Sequence, residues 1–146
     1  MQDLERFVRA QEPVWPQVVA ELQAGRKQSH WMWFVFPQMQ GLGQSRNAWY
    51  YGLADLAEAR AYWAHPVLGP RLKLLCGMLL QLEDADPLRV MGWPDNLKLC
   101  SCMTLFAHAA PAEPVFRQVL NKFYGGREDG RTVLCLTLTG LRKDNE

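Results

Sequence analysis

Apolar positions recur at helical spacing along most of this chain. Leu4, Phe7 and Val8 follow Asp3, a natural N-cap. Pro13 can open a second helix with Pro16 in its first turn. Val14, Val18, Val19 and Leu22 then form the apolar stripe, and Gly25 is a natural stop. Ser29 is placed to cap a short third element, HWMWFVF, which must end near Pro37. Ser45 is placed to cap a helix through Tyr51. Asp55 with Glu58 three residues on resembles a capping box for a helix to about Ala64. A long helical stretch from Val67 to Leu82 follows, then a short one from Pro87 to Met91. Asp95 or Asn96 caps the next, which runs to about Ala109.

Glu113 to Tyr124 is cleanly amphipathic, with Val115, Phe116, Val119, Leu120 and Phe123 on one face. Gly125-Gly126 stops it and leaves Arg127 solvated. Asp129 can cap a last element, TVLCLTLT, whose β-branched residues alternate as in a strand. A lone strand has nothing to pair with, so helix is expected there. The pattern predicts an all-α protein: one compact globular domain, 1–146, of about seven or eight short helices, with 137–146 as a frayed polar tail.

Composition narrows the function. The chain has 146 residues, 49% hydrophobic, with six Trp, enough to build a core. Sixteen Lys+Arg against fifteen Asp+Glu leave a net charge of +1, which argues against a nucleic-acid binder. No apolar run reaches the ~18–20 residues that span a bilayer, and the N-terminus has no signal-peptide core. No membrane role and a cytoplasmic location are expected. Four cysteines without a secretory signal read as reduced, buried thiols. Cys100 and Cys102 lack the usual zinc spacing, so neither metal nor cofactor is expected.

Two segments depart from ordinary core. Residues 25–38 hold no acid, and Glu21 to Asp55 is an acid-free interval that contains Arg26, Lys27 and Arg46. A locally positive potential with little compensation is expected there. Arg26, Lys27, Ser29 and His30 precede an aromatic run with Trp31 and Trp33, and Gln38 follows it. Such donors suit a phosphate or carboxylate, though solvated basic ends and a core histidine explain them as well. On the Asp95–Ala109 helix, Lys98, Ser101, Thr104 and His108 share one arc. Lys98 can meet an anion or transfer a proton, or simply reach for water while Ser101 and Thr104 bond back to the backbone.

The stretches DLERF (3–7), GRKQSHWMWFVFPQ (25–38), ARAYWAHPVLGPRL (59–72), LKLCSCMTLF (97–106) and FYGGREDGRT (123–132) resemble one bacterial family. It is the uncharacterised family catalogued as domain of unknown function 1810, and the resemblance runs from Asp3 to about Leu136. It implies an all-α fold and no established activity. The label "calpastatin" borne by some members does not suit this chain. Calpain-inhibitor repeats are polar and unfolded alone, whereas this sequence is rich in tryptophan and has no internal repeat.

The leading expectation is a site for a small anionic ligand, phosphorylated or nucleotide-like. His30 and Lys98 are the candidates for proton transfer. Arg26, Lys27, Ser29, Trp31, Trp33, Gln38, Ser101 and Thr104 are the candidates for binding. The alternative is a protein-interaction or regulatory module with a protein partner, using an exposed Trp31/Trp33 surface or the Trp15 and Trp49 aromatics.

Overall fold

The computed structural model describes residues 3–144. The helices are α1 (Glu5–Gln11), α2 (Trp15–Gln23), α3 (Met32–Val35), α4 (Arg46–Tyr50), α5 (Leu56–Ala64), α6 (Leu68–Gln81), α7 (Pro87–Met91), α8 (Asp95–Ala109), α9 (Val115–Tyr124) and α10 (Gly130–Asp144). A 3-10 turn, Glu12–Val14, joins α1 to α2. The fold is all-α, and among the described residues the only β pairing is an isolated bridge between Met39 and Leu53. The pieces outnumber the seven or eight expected because α3, α4 and α7 are little more than single turns.

Local chemistry sets most boundaries. Ser45 Oγ accepts the Ala48 N–H at 3.0 Å, and Asp55 Oδ1 accepts that of Glu58 at 2.8 Å. Glu58 reaches back to the Ala54 N–H at 3.0 Å, a variant of the capping box. Ser29 does not cap α3. Trp31 occupies the N-cap position without a side-chain capping bond, and the Ser29 hydroxyl is turned to Glu21. The last segment is helical, and α10 spans Gly130–Asp144. Thr137 and Thr139 hydroxyls bond back to Val133 O and Cys135 O, which satisfies them within the helix. Residues 145–146 of the expected tail lie outside the described residues.

α8 is the central element and packs against α5, α7, α9 and α10. An aromatic column crosses the core from α1 to α9. Phe7 meets Tyr62 at 5.1 Å, Tyr62 meets Phe106 at 5.4 Å, and Phe106 meets Phe116 at 5.6 Å. Full burial of a side chain the size of Phe stabilises by about 1.5–3 kcal/mol. The Tyr62 hydroxyl is satisfied by Gln11, which donates from Nε2 at 3.2 Å. α6 can start against the end of α5 only because residue 69 is glycine. A Cβ there would fall 2.1 Å from Trp63 O.

Two cations, Arg6 buried and Lys122 half-buried, fasten the framework. Arg6 donates to the carbonyls of Asp3, Tyr50 and Gly52 and lies 3.6 Å from Glu58. Lys122 on α9 donates to the carbonyls of Leu79, Leu80 and Leu82, so its ammonium closes the C-terminal end of α6. Gly125, in the left-handed region at φ +63°, ends α9 and turns the chain back across α8.

Candidate functional site

The segment after α2 is ordered around one carboxylate. Glu21 Oε1 accepts the backbone N–H groups of Gln28 (2.7 Å) and Ser29 (3.0 Å) and the indole N–H of Trp31 (3.0 Å). Its Oε2 accepts the Ser29 hydroxyl. Burial alone would raise the Glu21 carboxyl, but these bonds outweigh it and lower the pKa to about 2. The donors expected to greet an external anion are therefore occupied by the chain's own acid.

Lys27 is also spoken for. Its ammonium lies 2.8 Å from Asp95 Oδ2, donates to Ser29 O at 2.5 Å, and stands 4.9 Å above the Trp31 ring. Its side chain is only 7% exposed. The expected uncompensated potential is thus corrected: Asp95, remote in sequence, folds onto this segment. The Lys27 N–H also bonds Val90 O at 2.7 Å, which fixes the segment to α7.

Lys98, one turn into α8, is held more loosely. It lies 3.9 Å from Asp95 Oδ1 and 5.4 Å above the Trp33 ring, with 24% of its side chain exposed. It sits where two grooves meet. The smaller, about 310 Å³, is lined by Lys27, His30, Trp33, Trp93, Asp95 and Lys98, with Met32 and Met91. The larger, about 690 Å³, runs from Lys98 past Gln38, Asn96, Ser101 and Tyr124 to Arg127 and Arg131. Pro94 and Lys98 line both.

Charge in the larger groove is unbalanced. Glu128 is taken by Arg117 at 2.7 Å and His108 at 2.9 Å. Asp129 caps α10 and accepts from the Thr132 N–H (3.0 Å), the Thr132 hydroxyl (2.5 Å) and the Ser101 hydroxyl (3.1 Å). Arg131 donates to Leu42 O and Arg127 to Tyr124 O, and neither meets a carboxylate among the described residues. Three cations therefore face the groove against two acids, of which Glu128 is paired with Arg117 and Asp129 caps α10.

The structure brings Lys27, His30, Trp33 and Lys98 together at the smaller groove, and Gln38, Lys98 and Ser101 at the larger. It does not bring in Arg26, Ser29, Trp31 or Thr104. Arg26 is exposed and lines neither groove. Trp31 is 1% exposed, and Trp33 is mostly buried, which removes the Trp31/Trp33 interaction surface. Thr104 is fully buried, donates to Cys100 O and accepts the Asp129 N–H at 2.9 Å. Most of the polar arc on α8 is thus the seat of the 125–130 turn.

Trp93, Asp95, Arg127 and Arg131 were not among the candidate site residues; the sequence marks Asp95 only as a helix cap and Arg127 only as solvated. A tryptophan before a proline outside any helical stripe was the one signal for Trp93, which is 75% exposed. Three of the four thiols offer no nucleophile. Burial, with Asp129 adding to it, pushes Cys100 up to about 11, and burial raises Cys76 and Cys102 further. Among the described residues no cluster of His, Cys, Asp and Glu could hold a metal ion, and no helix is long and apolar enough to cross a membrane.

A family model for a protein of unknown function, DUF1810, matches residues 1–136. The crystal structure of the conserved hypothetical protein Rv1873 from Mycobacterium tuberculosis, at 1.38 Å, shares 54% identity. It superposes with a TM-score of 0.91 over 92% of this chain and 96% of that one. No curated protein matches the chain. By the extent of that family match, the chain belongs to the DUF1810 family of proteins of unknown function.

Proposed function

We propose that the protein binds a small anionic molecule, phosphorylated or nucleotide-like, in the groove between α8 and the 125–131 turn. One observation carries this reading: Lys98, Arg127 and Arg131 line a groove whose acids, Glu128 and Asp129, already have partners. A volume of about 690 Å³ suits a ligand of metabolite size. His30 and Lys98 line the smaller groove together, so in an enzymatic version either one transfers the proton.

A thermal-shift panel of phosphate, pyrophosphate, sugar phosphates, nucleotides and dicarboxylates tests the reading. A ligand at ~100 times its dissociation constant adds about 2.7 kcal/mol, which raises the midpoint by several degrees. Lys98→Ala is expected to abolish the shift, and Arg26→Ala, at an exposed position outside both grooves, to keep it. A panel without any shift overturns the proposal.

The second reading, a protein-interaction module, is favoured by Trp93, Leu97 and Leu88, exposed by 75%, 57% and 51% near the same grooves. Trp31 and Trp33 do not supply that surface.

A further inference from the structure

We infer that the two grooves are halves of one site and that its ligand is a nucleoside phosphate. The phosphates lie along the larger groove, and the base lies on Trp93 in the smaller. The inference rests on the anion-site reading above and divides the ligand between the grooves.

The partition of charge is the first argument. In the smaller groove Asp95 faces both lysines, close to Lys27 at 2.8 Å and more distant from Lys98 at 3.9 Å. With Lys98 counted to the larger half, Lys27 and Asp95 leave this half nearly neutral, walled by Trp33, Trp93, Met32 and Met91. A flat, uncharged ring suits it. The larger half carries Lys98, Arg127 and Arg131 with its acids engaged, and suits phosphate. Because Lys98 and Pro94 line both halves, a ligand that fills both must pass Lys98.

Trp93 is the second argument. Its indole is 75% exposed and takes no part in the buried core. An indole left in water beside a cationic groove offers a stacking face for a base, and stacking is tolerant of which base it receives.

Isothermal titration of the full chain with the four common nucleoside diphosphates, pyrophosphate and adenosine separates the halves. At least one nucleoside diphosphate is expected to bind about tenfold tighter than pyrophosphate, the gain that one stacked base supplies. Trp93→Ala should remove that gain and leave pyrophosphate binding unchanged, while Trp93→Phe should keep most of it. Arg127→Ala with Arg131→Ala should weaken pyrophosphate and the nucleotide alike, by about tenfold or more. If pyrophosphate binds as tightly as every nucleotide and Trp93→Ala changes nothing, the anion site stands and the nucleotide inference falls. If no nucleotide or pyrophosphate binds but another anion of the panel does, the inference falls alone. If no anion binds, both fall.

Discussion

Residues 28–31 and the groove from Lys98 to Arg131 both gather donors suited to an anion, and they differ in what meets those donors. At the first, Glu21 receives two backbone N–H groups, a hydroxyl and an indole. At the second, Lys98, Arg127 and Arg131 face solvent-accessible space while Glu128 and Asp129 turn to other partners. A cluster of donors identifies a binding site only after the chain's own carboxylates have been assigned. The same contrast holds between two lysines on one acid: Lys27 is buried on Asp95, and Lys98 is only near it.

Removing Glu21 should have the largest effect. Glu21→Ala leaves four donors without an acceptor in a mostly buried place, a loss of about 3 kcal/mol in urea denaturation. The carboxyl ionises near pH 2 when folded, against 4.5 as its ordinary value. Its contribution is therefore complete above about pH 4.5 and is lost as pH falls toward 2. The stability gap between wild type and Glu21→Gln should shrink over that window. A gap that stays constant from pH 6 to pH 2.5 breaks the comparison, because Glu21 would then not be the internal anion.

Lys27→Met comes next, at about 2 kcal/mol, since it leaves Asp95 in a partly buried place with only the more distant Lys98. Its denaturation midpoint should fall without a change in the slope against urea. Lys98→Met should cost the least, within about 0.5 kcal/mol, as expected for a loosely paired, partly exposed lysine. It should nevertheless remove anion binding in the thermal-shift panel. Equal stability losses at the two lysines would erase the distinction drawn between them.

Helical periodicity and capping are local, and there the sequence was mostly readable, except that Ser29 turns to Glu21 and Pro94, not Asp95 or Asn96, holds the N-cap position of α8. The stripe of Val115, Phe116, Val119, Leu120 and Phe123 is buried, and Ser45, Asp55 and Asp129 cap where the spacing puts them. The final segment was ambiguous because its alternation of threonine with apolar residues fits either period. No partner strand is present among the described residues, and its threonines satisfy themselves within a helix.

The site was legible only in part. Lys27, His30, Trp33 and Lys98 do share a groove. The acid-poor character of residues 25–38 was misleading because distance along the chain is not distance in space. Glu21, just upstream, and Asp95, far downstream, both fold onto that segment. Ser101 and Thr104 bond back to the helix backbone, one of the two readings of the sequence, and they also meet Asp129, which the turn after α9 brings to them. Arg127 and Arg131 acquire their place from that same turn, and no periodic signal marks them.

Lys122 bears on the order in which the helices can become secure. Its ammonium joins three carbonyls at the end of α6 from a helix some forty residues later, at Leu79, Leu80 and Leu82. As a separate peptide, α6 would therefore fray over its last turn, and that turn settles only once α9 has docked. The two helices should open and close together, so backbone amides at both ends of this junction should exchange their hydrogens at matched rates.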